Sequence, residues 1–238
     1  MQALRKLKTV SESGGIFGVV IGILVFGSIW GLVEATLGGA LHFVHFPLFS
    51  KGAIPGGIGM AIMATFVVMY RRPRLVFWIA VIAALFKPLS AVIYVQPIFG
   101  PSVVNPASAI LLEGLAFTLV VSLLFKGFES SIKMRIGAGV AAGYLSAIPY
   151  AILASSLGIG NWASMGVTER VTAALTNGTG LAIVGTCLLL LGHLVGTKLR
   201  PKFWQLRSTK PSLFYASATA TIACCSVIAV VAFPPPGL

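Results

Sequence analysis

Aspartate is absent from the 238 residues, and the only acids are five glutamates. With 9% of residues charged, the chain falls well below the quarter that a soluble domain carries. Aspartate-based metal or phosphate chemistry is thereby excluded as a plan for this protein. The three cysteines, Cys187, Cys224 and Cys225, all lie in apolar runs, and no Cys/His spacing forms a metal set. They read as small apolar fillers. His-Glu-x-x-His, Gly-x-Ser-x-Gly and Gly-x-x-x-x-Gly-Lys-[Ser/Thr] are all missing, so no enzyme class and no nucleotide-binding loop is indicated. The expectation is a non-enzyme with no resident metal or cofactor.

What is present is apolar sequence: 57% of residues are hydrophobic. Seven runs approach the roughly 20 residues a membrane-crossing helix needs. They lie near 16–43, 54–70, 75–96, 105–125, 136–157, 171–197 and 213–233. The expected fold is therefore an all-α integral membrane protein, a compact bundle of six to seven transmembrane helices in a single polytopic domain over 1–238. The first run is too long for a secretory signal and carries Glu34, so it reads as a retained helix.

The net charge of +12 is arranged for topology. Arg5, Lys6 and Lys8 precede the first run. Arg71, Arg72 and Arg74 join the second and third. Lys126, Lys133 and Arg135 join the fourth and fifth. Lys198, Arg200, Lys202, Arg207 and Lys210 join the sixth and seventh. Fourteen of the 17 basic residues thus fall on one face, with Lys51 and Arg170 opposite and Lys87 inside a span. The positive-inside rule places that face and the N-terminus in the cytoplasm, with a multi-pass location in the plasma membrane. Basic residues clustered between apolar runs, without interleaved aromatics, exclude a nucleic-acid groove.

Three ionisable residues interrupt the apolar spans: Glu34, Lys87 and Glu113. A charge at mid-bilayer costs about 2.5–3.5 kcal/mol and is usually functional or paired. Counted from the expected helix ends at 1.5 Å per residue, each lies about 12–13 Å below the outer surface. A convergent polar site open to the outside is expected. Trp30, Glu34, Gly38 and His42 recur at four-residue spacing along one face of the first span. Lys87, Ser90 and Tyr94 share a face of the third, where Pro88 frees the Ala84 carbonyl. Asn105-Pro106 is expected to open the fourth span as a cap. Thr172, Thr176, Asn177 and Thr179 bring polar groups from the sixth.

Each feature also has a structural reading. Lys87 paired with one glutamate would merely fix helix register, leaving the second glutamate unexplained. Trp30 would be packing, His42 and His45 interfacial, and the threonines bonded to their own helix. Glu129 and Glu169 read as solvated flanking charges. Gly18/Gly22, Gly27/Gly31 and Gly139/Gly143 have the spacing that lets helices approach closely. They suit internal packing or, in the first span, a partner subunit.

The stretch Trp30-Gly31-Leu32-Val33-Glu34-Ala35-Thr36-Leu37-Gly38, together with Asn105-Pro106 through Glu113-Gly114, resembles the substrate-binding (S) components of energy-coupling factor transporters. The resemblance lies in general pattern: a small, basic, glycine-rich bundle with an outer-half pocket. The apparent seventh span departs from the usual six. It implies capture of a small micronutrient-like solute from outside. The residues themselves offer the binding set for such a solute: Glu34, Lys87 and Glu113 to hold its polar groups, Trp30 to stack on it, and Asn105, His42, Tyr94 and Asn177 around them. The resemblance also implies a transmembrane coupling subunit and cytoplasmic ATPases as partners. Two other readings of the same residues stand beside it: a self-contained proton-coupled transporter, and a structural subunit of a membrane complex.

Overall fold

In lipid every backbone N–H and C=O must find a partner within the chain, and a helix does this segment by segment. The computed structural model describes residues 15–41, 52–93, 97–158 and 160–231, and these contain helices and no strand. The helices are α1 (Ile16–Ala40), α2 (Ala53–Tyr70), α3 (Phe77–Ile93), α4 (Pro101–Leu123), α5 (Phe125–Ser130), α6 (Ile132–Ser156), α7 (Val167–Thr209) and α8 (Pro211–Val231). Short 3-10 turns occupy Pro73–Leu75 and Gly160–Ala163. Six helices are long and apolar enough to cross a membrane, namely α1, α2, α4, α6, α7 and α8. The seventh expected crossing corresponds to α3, with 17 described residues.

α2 is the hub. It packs against α7, α1 and α4, while α8, α1, α3, α4, α6 and α7 follow one another around it. Its buried share, 78% against 22% for α8, marks one as centre and the other as rim. The core runs along α2 through Met60, Met63, Phe66 and Val67, each fully enclosed.

Small residues set these seams. A methyl group on Gly192 of α7 would lie 2.1 Å from the Ala61 carbonyl oxygen, so backbone meets backbone there. Thr65 ties the same seam, its hydroxyl lying 2.8 Å from the Ala61 carbonyl and 2.9 Å from that of Gly192. Gly27 and Gly31 receive Ile82 and Phe86 of α3, and Gly139 and Gly143 receive Thr186 and Ala182 of α7. In α1, Gly18 receives Arg207 and Gly22 receives Tyr70. All three glycine spacings thus serve packing within the chain.

Several helix ends differ from expectation. α4 begins at Pro101 after an extended Gly100, so Asn105-Pro106 lies one turn inside the helix and is no cap. Proline at the first position suits a helix start, because its missing N–H is not needed there. α7 runs 43 residues, about 64 Å, twice the thickness of the hydrocarbon core. Residues 198–209, expected as a loop, continue this helix through Pro201. α3 likewise continues through Pro88. Arg71 ends α2 in the left-handed conformation (φ 54°), its N–H donating to Val67 O, and Pro73 prevents resumption.

The basic face carries a small clamp. Phe128 of α5 is fully buried against Phe117 and His193. Arg135 closes the C-terminal carbonyls of α5, donating to Phe128 O at 2.7 Å and Glu129 O at 2.8 Å. Arg71 pairs with the Glu129 carboxylate at 2.5 Å. Glu129, expected to be merely solvated, therefore joins α2 to α5. Glu169 also has a local task, accepting the Gly166 N–H at 2.9 Å at the start of α7.

Candidate functional site

Glu34 lies on α1, six residues before its last residue, and is 8% exposed. Its Oε1 accepts from Trp30 Nε1 at 3.3 Å, one turn earlier. A methyl on Gly38, one turn later, would sit 3.4 Å from Oε2. The four-residue spacing of Trp30, Glu34 and Gly38 is therefore realised as contact. The Trp30 ring is fully enclosed and lies on Gly59 of α2, where a methyl would come within 2.4 Å of it. Trp30 thus positions the Glu34 carboxylate, and a stacking platform it is not in this arrangement.

Lys87 of α3 binds main chain: Nζ donates to the Glu34 carbonyl oxygen at 2.9 Å. The ammonium is also within electrostatic range of the Glu34 carboxylate. One of its three donors is thus committed to holding α3 against α1.

Glu113 reaches the same region from α4. Its carboxyl rests on Gly56 of α2, where a methyl would lie 2.6 Å from Oε1 and 2.9 Å from Oε2. Glu113 Oε2 is buried with no hydrogen-bond partner among the described residues. Glu34 is near enough to act on it electrostatically. Equal depth counted from helix ends does not survive, because α4 starts four residues earlier than expected. What unites the site is α2: Gly56 seats Glu113 and, one turn on, Gly59 seats Trp30.

Two turns before Glu113 on α4, Asn105 meets Tyr150 of α6. The Tyr150 hydroxyl donates to Asn105 Oδ1, and its ring meets Trp162 edge-on at 6.1 Å. Trp162, on the turn Gly160–Ala163, packs with Ala151, Ala154 and Ala174 in a second small core. Tyr150 also lies within electrostatic reach of Glu113. Reading the sequence had not singled out Tyr150, Gly56 or Gly59. A tyrosine behind Pro149 and a Gly-Gly-x-Gly run in the most enclosed helix were the available signals.

Other expected members stay apart. Asn177 of α7 is half-buried, and among the described residues no hydrogen bond joins it to Glu34, Lys87 or Glu113. Its neighbour Gly178 faces Tyr144 of α6 instead. Thr172 bonds back to Thr168 O at 2.9 Å, and Thr179 bonds to the Tyr144 hydroxyl at 2.8 Å. Thr172 thus takes the structural role of bonding to its own helix, whereas Thr179 bonds across to α6. His42 and Tyr94 lie outside the described residues, as do His45 and Lys51, and the Ser90 side chain is not described.

The assembled groups are two carboxyls, an ammonium, an enclosed indole and an amide–phenol pair. No metal-holding cluster of His, Cys, Asp or Glu occurs among the described residues. Together they can accept hydrogen bonds from a donor-rich solute and balance a positive charge on it. No protein-family model, no curated protein and no solved structure matches this chain.

Proposed function

We propose that this chain is the solute-binding subunit of a membrane uptake system, capturing a small micronutrient-like molecule from the outer side of the plasma membrane. The observation that carries the reading is Glu113 Oε2: a buried carboxyl oxygen without a hydrogen-bond partner among the described residues, beside a second buried carboxyl. Leaving such a group unsatisfied is costly, and a bound donor removes the cost. A cationic, zwitterionic or donor-rich heterocyclic solute fits. Glu113 accepts from it and Glu34, oriented by Trp30, shares its charge. Lys87 locks α3 to α1, with its free donors left for an acceptor on the solute. Lacking a phosphate-binding loop of its own, the subunit draws energy from a transmembrane coupling protein and cytoplasmic ATPases. The similarity to S components supports this division of labour.

Mass spectrometry of small molecules released from the purified protein tests the reading. A stoichiometric compound is expected from the wild type and none from the folded Glu34→Gln, Glu113→Gln double variant. Equal recovery from both would overturn it. The proximity of two intramembrane carboxyls favours one other reading, proton-coupled transport by the chain alone. That reading requires uptake into liposomes driven by a pH gradient without added ATPases, and loss of uptake in the same variant.

A further inference from the structure

A pair of buried groups without hydrogen-bond partners among the described residues lies at the opposite end of α1, far from the carboxyl site. Tyr70, the last residue of α2, is 8% exposed. Its ring stacks on Phe66 at 4.5 Å and meets Phe203 and Trp204 edge-on at 5.6 and 5.8 Å. Its hydroxyl points onto Gly22 of α1, where a methyl would lie 2.4 Å from the oxygen. One turn earlier, the Arg207 guanidinium lies on Gly18, where a methyl would come within 2.3 Å of it. The guanidinium carbon is 5.3 Å from the Trp204 ring centre. Among the described residues, neither the Tyr70 hydroxyl nor Arg207 Nη1 has a hydrogen-bond partner, and both atoms are buried.

Gly18 and Gly22 share one face of α1, about 6 Å apart along the axis, so the two groups sit side by side over a glycine groove. A guanidinium only donates, and a hydroxyl has one proton to give. The groove therefore lacks an acceptor, and one carrying negative charge, since the guanidinium stays protonated. The planar fork of arginine matches phosphate geometry. Gly18 belongs to the first turn of α1, where the helix dipole also favours an anion, although its own N–H is already bonded to Gly15 O at 2.8 Å. The surroundings agree. Arg71, Arg72 and Arg74 follow Tyr70, and Lys202 in the last turns of α7 and Lys210 between α7 and α8 are exposed. Aromatic side chains at this level are typical of the membrane–water boundary.

We propose that the Gly18–Gly22 groove, walled by Tyr70, Trp204 and Arg207, binds a phosphate group at the cytoplasmic surface, on a phospholipid headgroup or as free phosphate. The site is independent of the outer carboxyl cluster and of the function proposed for it.

The test uses the delipidated full chain in detergent, titrated separately with phosphatidylglycerol, phosphatidylcholine and inorganic phosphate. Binding is read by native mass spectrometry and tryptophan fluorescence. Wild-type protein is expected to retain phosphatidylglycerol over phosphatidylcholine, and Arg207→Gln to lose about tenfold or more in affinity, the scale of one charged hydrogen bond. Tyr70→Phe, which removes one atom and leaves the aromatic packing in place, is expected to weaken binding while keeping the melting temperature of the lipid-free protein. Phosphate that binds the wild type with the same dependence on Arg207, and displaces no lipid, identifies the free anion as the occupant. Unchanged affinities in both variants overturn the proposal. So does a wild type that binds neither phosphatidylglycerol nor phosphate while a Glu12→Gln variant, altered at the fifth glutamate of the chain and outside the described residues, binds them, since Arg207 then pairs with this chain's own carboxylate.

Discussion

Glu113 combines a buried oxygen, unpartnered among the described residues, with a seat that has no room to spare, the bare backbone of Gly56. Two substitutions act on it by different routes. Glu113→Gln keeps the shape and removes the acceptor charge, and is expected to abolish retention of the bound solute without unfolding the protein. Gly56→Ala keeps every charge and places a methyl 2.6 Å from Oε1. It is expected to displace the carboxyl and weaken solute binding about tenfold, the value of one charged hydrogen bond, measured by equilibrium binding beside circular dichroism. Wild-type affinity in Gly56→Ala would separate Glu113 from recognition. The Arg71–Glu129 pair behaves differently, because its side chains are 52% and 26% exposed. Glu129→Gln is expected to cost no more than about 1 kcal/mol, seen as a small drop in melting temperature.

At the level of elements, the α2–α7 seam carries the bundle. Gly192 abuts the Ala61 carbonyl oxygen, backbone that cannot rotate away, whereas Gly137 of α6 has open space around it. Gly192→Ala is expected to destabilise by about 1–3 kcal/mol or more through overpacking. Gly137→Ala is expected to be neutral or to stabilise by up to about 1 kcal/mol through helix propensity. Thermal melting of the two in one detergent makes the comparison, and similar shifts would refute the seam. Thr65→Val should cost about 0.6–1.7 kcal/mol, the range for a hydrogen bond between membrane helices. Such seams were only half legible in the chain. The four-residue glycine spacings in α1 and α6 announce close approach, but a spacing names no partner. That Gly18 receives an arginine and Gly31 a phenylalanine depends on helices remote in sequence. The start of α4 was misplaced for a related reason: Pro101 and Asn105-Pro106 both carry start chemistry, and the bond from Tyr150 to Asn105 belongs to the helix interior.

For the molecule as a whole, orientation is the checkable quantity. Phe99, 89% exposed on the turn before α4, and Lys126 on α5 should lie on opposite sides of the membrane. With the three native cysteines replaced, Phe99→Cys is expected to react with an impermeant thiol reagent on intact cells and Lys126→Cys only after lysis. The reverse pattern would invert the topology and place the carboxyl site on the cytoplasmic side. Sequence alone determined that the chain is helical, that it crosses the membrane repeatedly, and which residues interrupt the apolar spans. These are local properties, since a helix in lipid satisfies its own backbone and its composition is read one segment at a time. Tertiary structure decided which interruptions meet. Lys87 binds the Glu34 main chain, Glu113 comes to rest on Gly56, Trp30 is enclosed by Gly59, and Thr172 and Thr179 bond elsewhere. Those outcomes follow from side chains of one helix filling gaps left by glycines of another, and no single segment contains both halves of such a fit.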